Sequence, residues 1–276
     1  MSDYIDLLIR SEEQKDSMLC FGMDPVIERM PIDWSKPLSD EITRYFGRIL
    51  DAVSDIISAV KPNVAFYLQY GQHGLIALGA LVRKAKKHKL PVIIDAKCGD
   101  IGRTSAAYAK FVFETLGGDA VTLNPLMGDD SLEPFFAHRE QGFYILALTS
   151  NPGAGRVQGA RLDDGRTVSE RLIELICGWN RTVRSAGAVI GATQSEFGRF
   201  IRLIEDTGVQ IPLLVPGVGA QGGSYGWIEE ILYACSYNRG IVRINASSSI
   251  SYAHEKHHGL APEDAARQAC EEILEG

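Results

Sequence analysis

Short apolar runs, many of them β-branched, alternate with longer amphipathic segments eight times along the 276 residues. This rhythm constrains the fold more than any single motif does. The runs are MLCFGM (18–23), SAVKPN (58–63), LPVIID (90–95), DAVTLN (119–124), FYILALT (143–149), GAVIGA (187–192), IPLLVPG (211–217) and GIVRINA (240–246). Between the second-listed run and the first, Ile42, Tyr45, Ile49, Val53 and Ile56 recur every three to four residues, which predicts a helix over 39–57. Segments 74–88, 103–116, 167–180 and 194–206 read the same way, a short helix is expected at the N-terminus, and 262–274 closes the chain as a helix. Alternation of this kind means parallel strands joined by helical crossovers. Eight units in about 250 residues is the size of a (β/α)8 barrel. The expectation is an α/β fold, one TIM-barrel domain over residues 1–276, with an open doubly wound sheet as the alternative.

Charge and cysteine content narrow the function. A net charge of -7 argues against a general nucleic-acid binder, so an anionic ligand would need a local site that opposes the global field. Cys20, Cys98, Cys177, Cys235 and Cys270 are scattered and contain no C-x-x-C pair, which fits neither a disulfide framework nor a zinc knuckle. No apolar stretch approaches the roughly 20 residues of a membrane helix, and MSDYIDLLIRSEEQ lacks the apolar core of a signal peptide. A soluble, cytoplasmic protein is expected, with no membrane and no nucleic-acid partner.

In parallel barrels the chemistry sits at the C-terminal ends of the strands. Polar residues fall there repeatedly: Asp24, Lys61, Asp95 with Lys97, Asn124, Thr149 with Ser150, and Gln221. The densest group is IIDAKCGDIGRT (93–104), which places Asp95, Lys97 and Asp100 directly after a buried run. Alternate strand residues point the same way, so Asp95 and Lys97 should share a face that Ala96 does not. Desolvating such charges is costly. They are either a salt-bridged barrel rim or a lysine held protonated between carboxylates to deliver a proton.

Two motifs have plainer readings. GVGAQG (217–222) matches a dinucleotide fingerprint but follows the seventh of eight strands, where a phosphate loop between the last two strands fits better. His254-Glu255-Lys256-His257-His258 matches H-E-x-x-H but is polar all round and ends at Gly259, so no metal site is expected there. Cys98 reads as a small residue filling a turn.

With these motifs in hand, D-A-K-x-G-D-I-G-x-T resembles the signature of the orotidine 5′-monophosphate decarboxylases. FGMDP (21–25), VKPNVAFY (60–67), LNPLMGDDSLEPF (123–135), LTSNPGA (148–154) and VPGVGAQGG (215–223) resemble further motifs of that family, in order, and their longer form is similar to the bacterial branch with larger chains. The resemblance implies decarboxylation of orotidine monophosphate to uridine monophosphate, the last step of pyrimidine synthesis, with no metal and no organic cofactor. It implies that Lys97 protonates the C6 carbanion, that Asp95 lies beside the departing carboxylate, and that Lys61 completes the charge network. Lys61 and Asp24 would bond the ribose hydroxyls, with Asn124 a further substrate contact. Ser150 would read the pyrimidine edge, and Gln221 and Gly222 would reach the phosphate. Asp100, Ile101 and Thr104 would enter a neighbouring subunit's site, so a homodimer is implied. The stretch 153–161 is expected to move.

The last strand departs from the pattern. Relatives resemble V-N-x-S-R-G-I there, whereas this chain reads INASSSISYA (244–253), with Ser248 where an arginine would grip the phosphate. One hydroxyl does not replace a guanidinium fork. Either Arg103, Arg156 or Arg243 takes over, with Arg243 expected to point outward, or phosphate affinity is reduced, or the chain has become a non-catalytic nucleotide-binding barrel. A metal-dependent sugar-phosphate decarboxylase or synthase of the same superfamily is the other enzymatic alternative.

Overall fold

The computed structural model describes residues 3–191, 196–217 and 224–276. Its strands are β1 Leu19–Phe21, β2 Ala59–Val60, β3 Ile93–Cys98, β4 Ala120–Leu123, β5 Gly142–Leu148, β6 Ala186–Ile190, β7 Leu213–Pro216 and β8 Val242–Ala246. All pair in parallel in the order β2-β1-β8-β7-β6-β5-β4-β3. Parallel bridges Val60–Val92 and Asn63–Asp95 join the two outer strands, so the sheet closes on itself as a TIM barrel. That closure removes the open-sheet alternative. Seven of the eight strands fall within the apolar runs seen in the sequence or within one residue of them, and β3 runs three residues past its apolar run, to Cys98.

The helices are α1 Tyr4–Lys15, α2 Leu38–Val53, α3 Val64–Leu68, α4 Gly71–Lys87, α5 Gly102–Lys110, α6 Glu133–Phe136, α7 Ala154–Val157, α8 Val168–Asn180, α9 Phe197–Asp206, α10 Tyr225–Ala234, α11 Ser248–Ser251 and α12 Pro262–Glu275. In α2 the three-to-four spacing buries Ile42, Tyr45, Phe46, Ile49, Leu50 and Val53 on one face. The start of α8 is set by a capping box, in which Thr167 accepts from the Glu170 N–H and the Glu170 carboxylate accepts from the Thr167 N–H. A proline in its first turn favours the start of α12. Among the described residues no helix is long and apolar enough to cross a membrane.

The floor of the barrel is built around α1. Tyr4 donates its hydroxyl hydrogen to Tyr144 Oη at 3.0 Å, and the two rings meet edge to face. Arg243 corrects a sequence expectation: its side chain does not point outward but is fully buried. It shares the inward parity of Asn245, two residues on in β8. Its guanidinium donates to the carbonyls of Leu8, Val242 and Gly240 at 2.5, 2.6 and 3.1 Å. Burial pulls this guanidinium below the ordinary arginine range, and no carboxylate forms an ion pair with it among the described residues. Sealed beneath the barrel, Arg243 is not placed to bind a phosphate at the opposite end.

Candidate active site

At the C-terminal mouth, β3 leaves regular geometry. Ile94 pairs with Val121 and Cys98 with Leu123, so four steps along β3 match two along β4. Within this bulge Lys97 has φ of 47°, a left-handed conformation unusual for a residue with a side chain. Its backbone N–H donates to Thr122 Oγ1 at 2.9 Å, which ties the bulge to β4. The side chain thereby reaches back over Asp95, with Nζ 2.5 Å from Oδ1. The two residues do face one cavity, through a bulge and not through plain pleat.

Asp95 is the hub. Its Oδ2 accepts from Lys61 Nζ at 2.8 Å, and its Oδ1 accepts from Lys97 Nζ and, at 2.8 Å, from Thr122 Oγ1. Burial alone would raise the Asp95 carboxyl, but the Lys61 and Lys97 ammoniums outweigh it and hold the group well below the usual carboxylate range. Burial pulls down on Lys61 in turn, while Asp95 and Asp24 more than compensate and hold its ammonium above the ordinary lysine value. Both partners therefore stay charged. Lys61 and Asp95 are buried, whereas the Lys97 side chain is 48% exposed and free to meet a ligand.

The cavity above this network has a volume of about 470 Å³. Lys61, Asp95, Lys97 and Thr122 line one side, Leu146, Val189, Leu214 and Pro216 form an apolar wall, and Thr149, Ser150, Asn151, Gln158 and Asn245 contribute polar groups. An apolar wall strengthens the field of the charges opposite it. Ser150 is held where β6 ends: a Cβ on Gly191 would lie 3.0 Å from the Ser150 Cβ, so glycine permits that approach. Gln158 accepts from the Thr149 N–H at 2.8 Å and donates to its hydroxyl at 2.9 Å, which ties 153–161 to the end of β5.

Asp24 stands at the end of β1, where its Oδ1 accepts from the Asn63 N–H at 3.1 Å. The Tyr252 hydroxyl accepts from the Val26 N–H and donates to the Asp24 carbonyl, at 2.7 and 2.8 Å. Arg29 stacks on the Tyr252 ring at 4.0 Å and pairs with both oxygens of Glu255. Part of the H-E-x-x-H string is thus used in bracing the Asp24 loop. His257 faces Glu272 at 3.6 Å, and the described residues contain no cluster that could hold a metal.

The remaining sequence candidates are placed as follows. Lys61, Asp95, Lys97 and Ser150 share the cavity, with Asp24 close enough to Lys61 to act on its charge. Asn124 does not line the cavity, because its Oδ1 accepts from the Leu126 N–H at 3.0 Å and closes its own turn. Asp100, Ile101 and Thr104 lie at the start of α5, outside this chain's own cavity, and Ile101 is 58% exposed. Ser248 opens α11 and is exposed, lining a separate groove with Arg29 and Lys256. Gln221 and Gly222 lie outside the described residues. Cys98 is buried at the end of β3, and burial pushes its thiol up to about 11, which is no state for a nucleophile. Thr122 and Asn245 were missed in the sequence. Their signal was available: Thr122 stands at an inward position of a short strand that is otherwise apolar, and Asn245 shares the inward side of β8 with Arg243.

Fold and mouth together define a TIM-barrel enzyme whose centre is a lysine–aspartate–lysine network over a small, half-apolar cavity. The sequence pattern of the Orotidine 5′-phosphate decarboxylase / HUMPS family matches residues 17–259. The orotidine 5′-phosphate decarboxylase of Thermomicrobium roseum is 43% identical over 212 residues, covering 76% of this chain and 73% of that protein. That of Herpetosiphon aurantiacus is 40% identical over 259 residues, covering 94% and 91%. A crystal structure described as a putative orotidine 5′-phosphate decarboxylase from Streptomyces avermitilis superposes with a TM-score of 0.80 at 29% identity, covering 100% of this chain and 97% of that one. The chain belongs to the orotidine 5′-phosphate decarboxylase family.

Proposed function

We propose that this enzyme decarboxylates orotidine 5′-monophosphate to uridine 5′-monophosphate, with Lys97 as the proton donor. The observation that carries the assignment is the Lys97 ammonium, held 2.5 Å from an ionised, buried Asp95 yet half exposed to the cavity. The bond from C6 to the carboxylate breaks, carbon dioxide leaves, and the electron pair stays on C6. Lys97 Nζ then gives a proton to C6, and the neutral amine takes one back from water. The fixed negative charge of Asp95 lies where it would repel the substrate carboxylate and favour its departure. Asp24 and Lys61 hold the ribose hydroxyls, and Ser150 reads the pyrimidine edge. The phosphate extends toward the ends of β7 and β8, where Ser248 stands in a neighbouring groove in place of an arginine and leaves the grip weaker.

The working unit in this reading is a homodimer, with Asp100, Ile101 and Thr104 completing the partner's site. Support comes from exposed apolar side chains on one rim: Ile101 at 58%, Tyr108 at 44%, Leu126 at 82% and Met127 at 55%. The 3-10 turn Asp129–Ser131, which follows Leu126 and Met127, packs against α5. Asp100→Ala and Lys97→Ala proteins, each inactive alone, are expected to regain activity when mixed, because a mixed dimer holds one intact site. No recovery despite demonstrated subunit exchange would remove the shared site.

The test of function is the ultraviolet assay for loss of orotidine monophosphate, with and without chelator, from low micromolar to millimolar substrate. Chelator-resistant turnover with a high KM is expected. Turnover abolished by chelator would favour the metal-dependent branch of the family, and binding of uridine monophosphate without turnover would favour a non-catalytic barrel.

A further inference from the structure

Asn245 is used by none of the steps above. It is 7% exposed, sits one residue before the end of β8, and lines the catalytic cavity. Its Nδ2 donates to Ser247 Oγ at 3.2 Å, while its Oδ1 has no hydrogen-bond partner among the described residues. Turning the amide over would only exchange which end is left unpaired. The pivot itself is fixed, since Ser247 is wedged against Gly22, where an added Cβ would fall 1.8 Å from the Ser247 hydroxyl. A buried acceptor left unmatched costs about 1–3 kcal/mol, so a donor brought by the ligand would gain from meeting it.

Position in the ring says which donor. Asn245 is in register with Cys20 of β1 on one side and Pro216 of β7 on the other. It therefore lies on the β2-β1-β8 arc with Lys61 and Asp24, across from the β3–β5 arc that carries Lys97 and Ser150. On the reading under Proposed function, that arc receives the ribose. Two ribose hydroxyls bring two protons to donate. Lys61 is a donor only, and Asp24, whose Oδ1 already accepts from the Asn63 N–H, keeps Oδ2 for one of the two protons. We infer that Asn245 Oδ1 accepts a hydrogen bond from a ribose hydroxyl, making Asn245 a determinant of ribonucleotide over deoxyribonucleotide selection at this site.

The experiment compares binding of uridine monophosphate, its 2′-deoxy analogue and its 3′-deoxy analogue to the full chain and to Asn245→Leu, which keeps the volume and removes both polar ends. The native protein should prefer the ribonucleotide over one of the two analogues by about ten-fold or more, since a site built around a hydroxyl rejects the ligand lacking it. In Asn245→Leu that preference should fall to about three-fold or less, while affinity for the analogue itself is kept. A merely structural role would lower all three affinities together and leave their ratios unchanged, and that result overturns the inference. So does a native protein that does not discriminate. Should Asn245→Leu fail to fold, Asn245→Ala reads the same ratio. Persistence of the ratio in an enzyme that turns over orotidine monophosphate defeats the role of Asn245 alone. Absence of both turnover and nucleotide binding defeats the functional reading, and this inference with it.

Discussion

The barrel buries cations at both ends, and handles them in opposite ways. At the mouth, Lys61 is matched by Asp95, which also holds Lys97 and Thr122, and the group opens onto a cavity of about 470 Å³. At the floor, Arg243 is matched by three carbonyl oxygens and closed off by α1. Carbonyls accept from both terminal nitrogens of this guanidinium without creating a site for anything else, and its Nε has no partner among the described residues. A carboxylate shared by two ammoniums leaves one of them, Lys97, with capacity to spare. The difference separates a charge that fixes structure from charges that act, and it follows the division between the stable and the reactive faces of such barrels.

The strongest way to break this contrast is Lys97→Ala. Loss of a positioned proton donor should lower kcat by roughly 10²–10⁴-fold, with circular dichroism and melting nearly unchanged because the side chain is 48% exposed. Retained turnover would end its assignment as the donor.

Asp95→Asn should act on both stability and rate. Removing one partner of a buried pair costs about 3–5 kcal/mol. The sign of its pH dependence follows from the shifts. The Asp95 carboxyl is depressed, so its contribution is present above the unfolded value and is lost as pH falls through the folded one. Lys61 is raised, so its contribution is present below its unfolded value and is lost as pH rises through the folded one. Between about pH 5 and pH 9 the difference in unfolding free energy between native protein and variant should be flat. Denaturant titrations at three pH values check it, and a clear slope inside that window would contradict the charge assignment.

At the other end, Arg243→Met should destabilise by about 1–3 kcal/mol, because the carbonyls of Leu8, Gly240 and Val242 lose their donor. Catalysis by the folded fraction should not change. A KM effect for orotidine monophosphate would mean that floor and mouth are not separate after all. The smallest expected effect is Thr122→Val, which removes one bond to Asp95 and one from the Lys97 N–H. About 1 kcal/mol lost from that brace would lower kcat by roughly five- to ten-fold.

How much of this was legible differs between the same two regions. The ring of strands was readable because each strand is a short apolar run between longer amphipathic stretches. The helix α10 was not singled out: Tyr225, Trp227, Ile228, Ile231, Leu232 and Tyr233 spread apolar side chains around its circumference, and Tyr233 is 87% exposed. At the mouth, Asp95 and Lys97 were visible as charges crowded after an apolar run. Thr122 was hidden because threonine is an ordinary strand residue, and only its parity distinguishes it. Arg243 was misread because an arginine in a strand is expected to face water. The R-I-N order of β8 places Arg243 and Asn245 on one side together, and that side is the interior.

The bulge in β3 has a consequence for anyone who would move this chemistry elsewhere. The ammonium is delivered to the cavity by surplus chain length: two more residues pass along β3 than its neighbour β4 can match. Copying Asp95, Lys97 and Thr122 onto a barrel with regular strands would transplant the reagents without the offset that aims them. The transferable part is a length mismatch between adjacent strands together with the threonine that pins it, and a deletion of one residue there would be a mutation of the active site with every side chain still present.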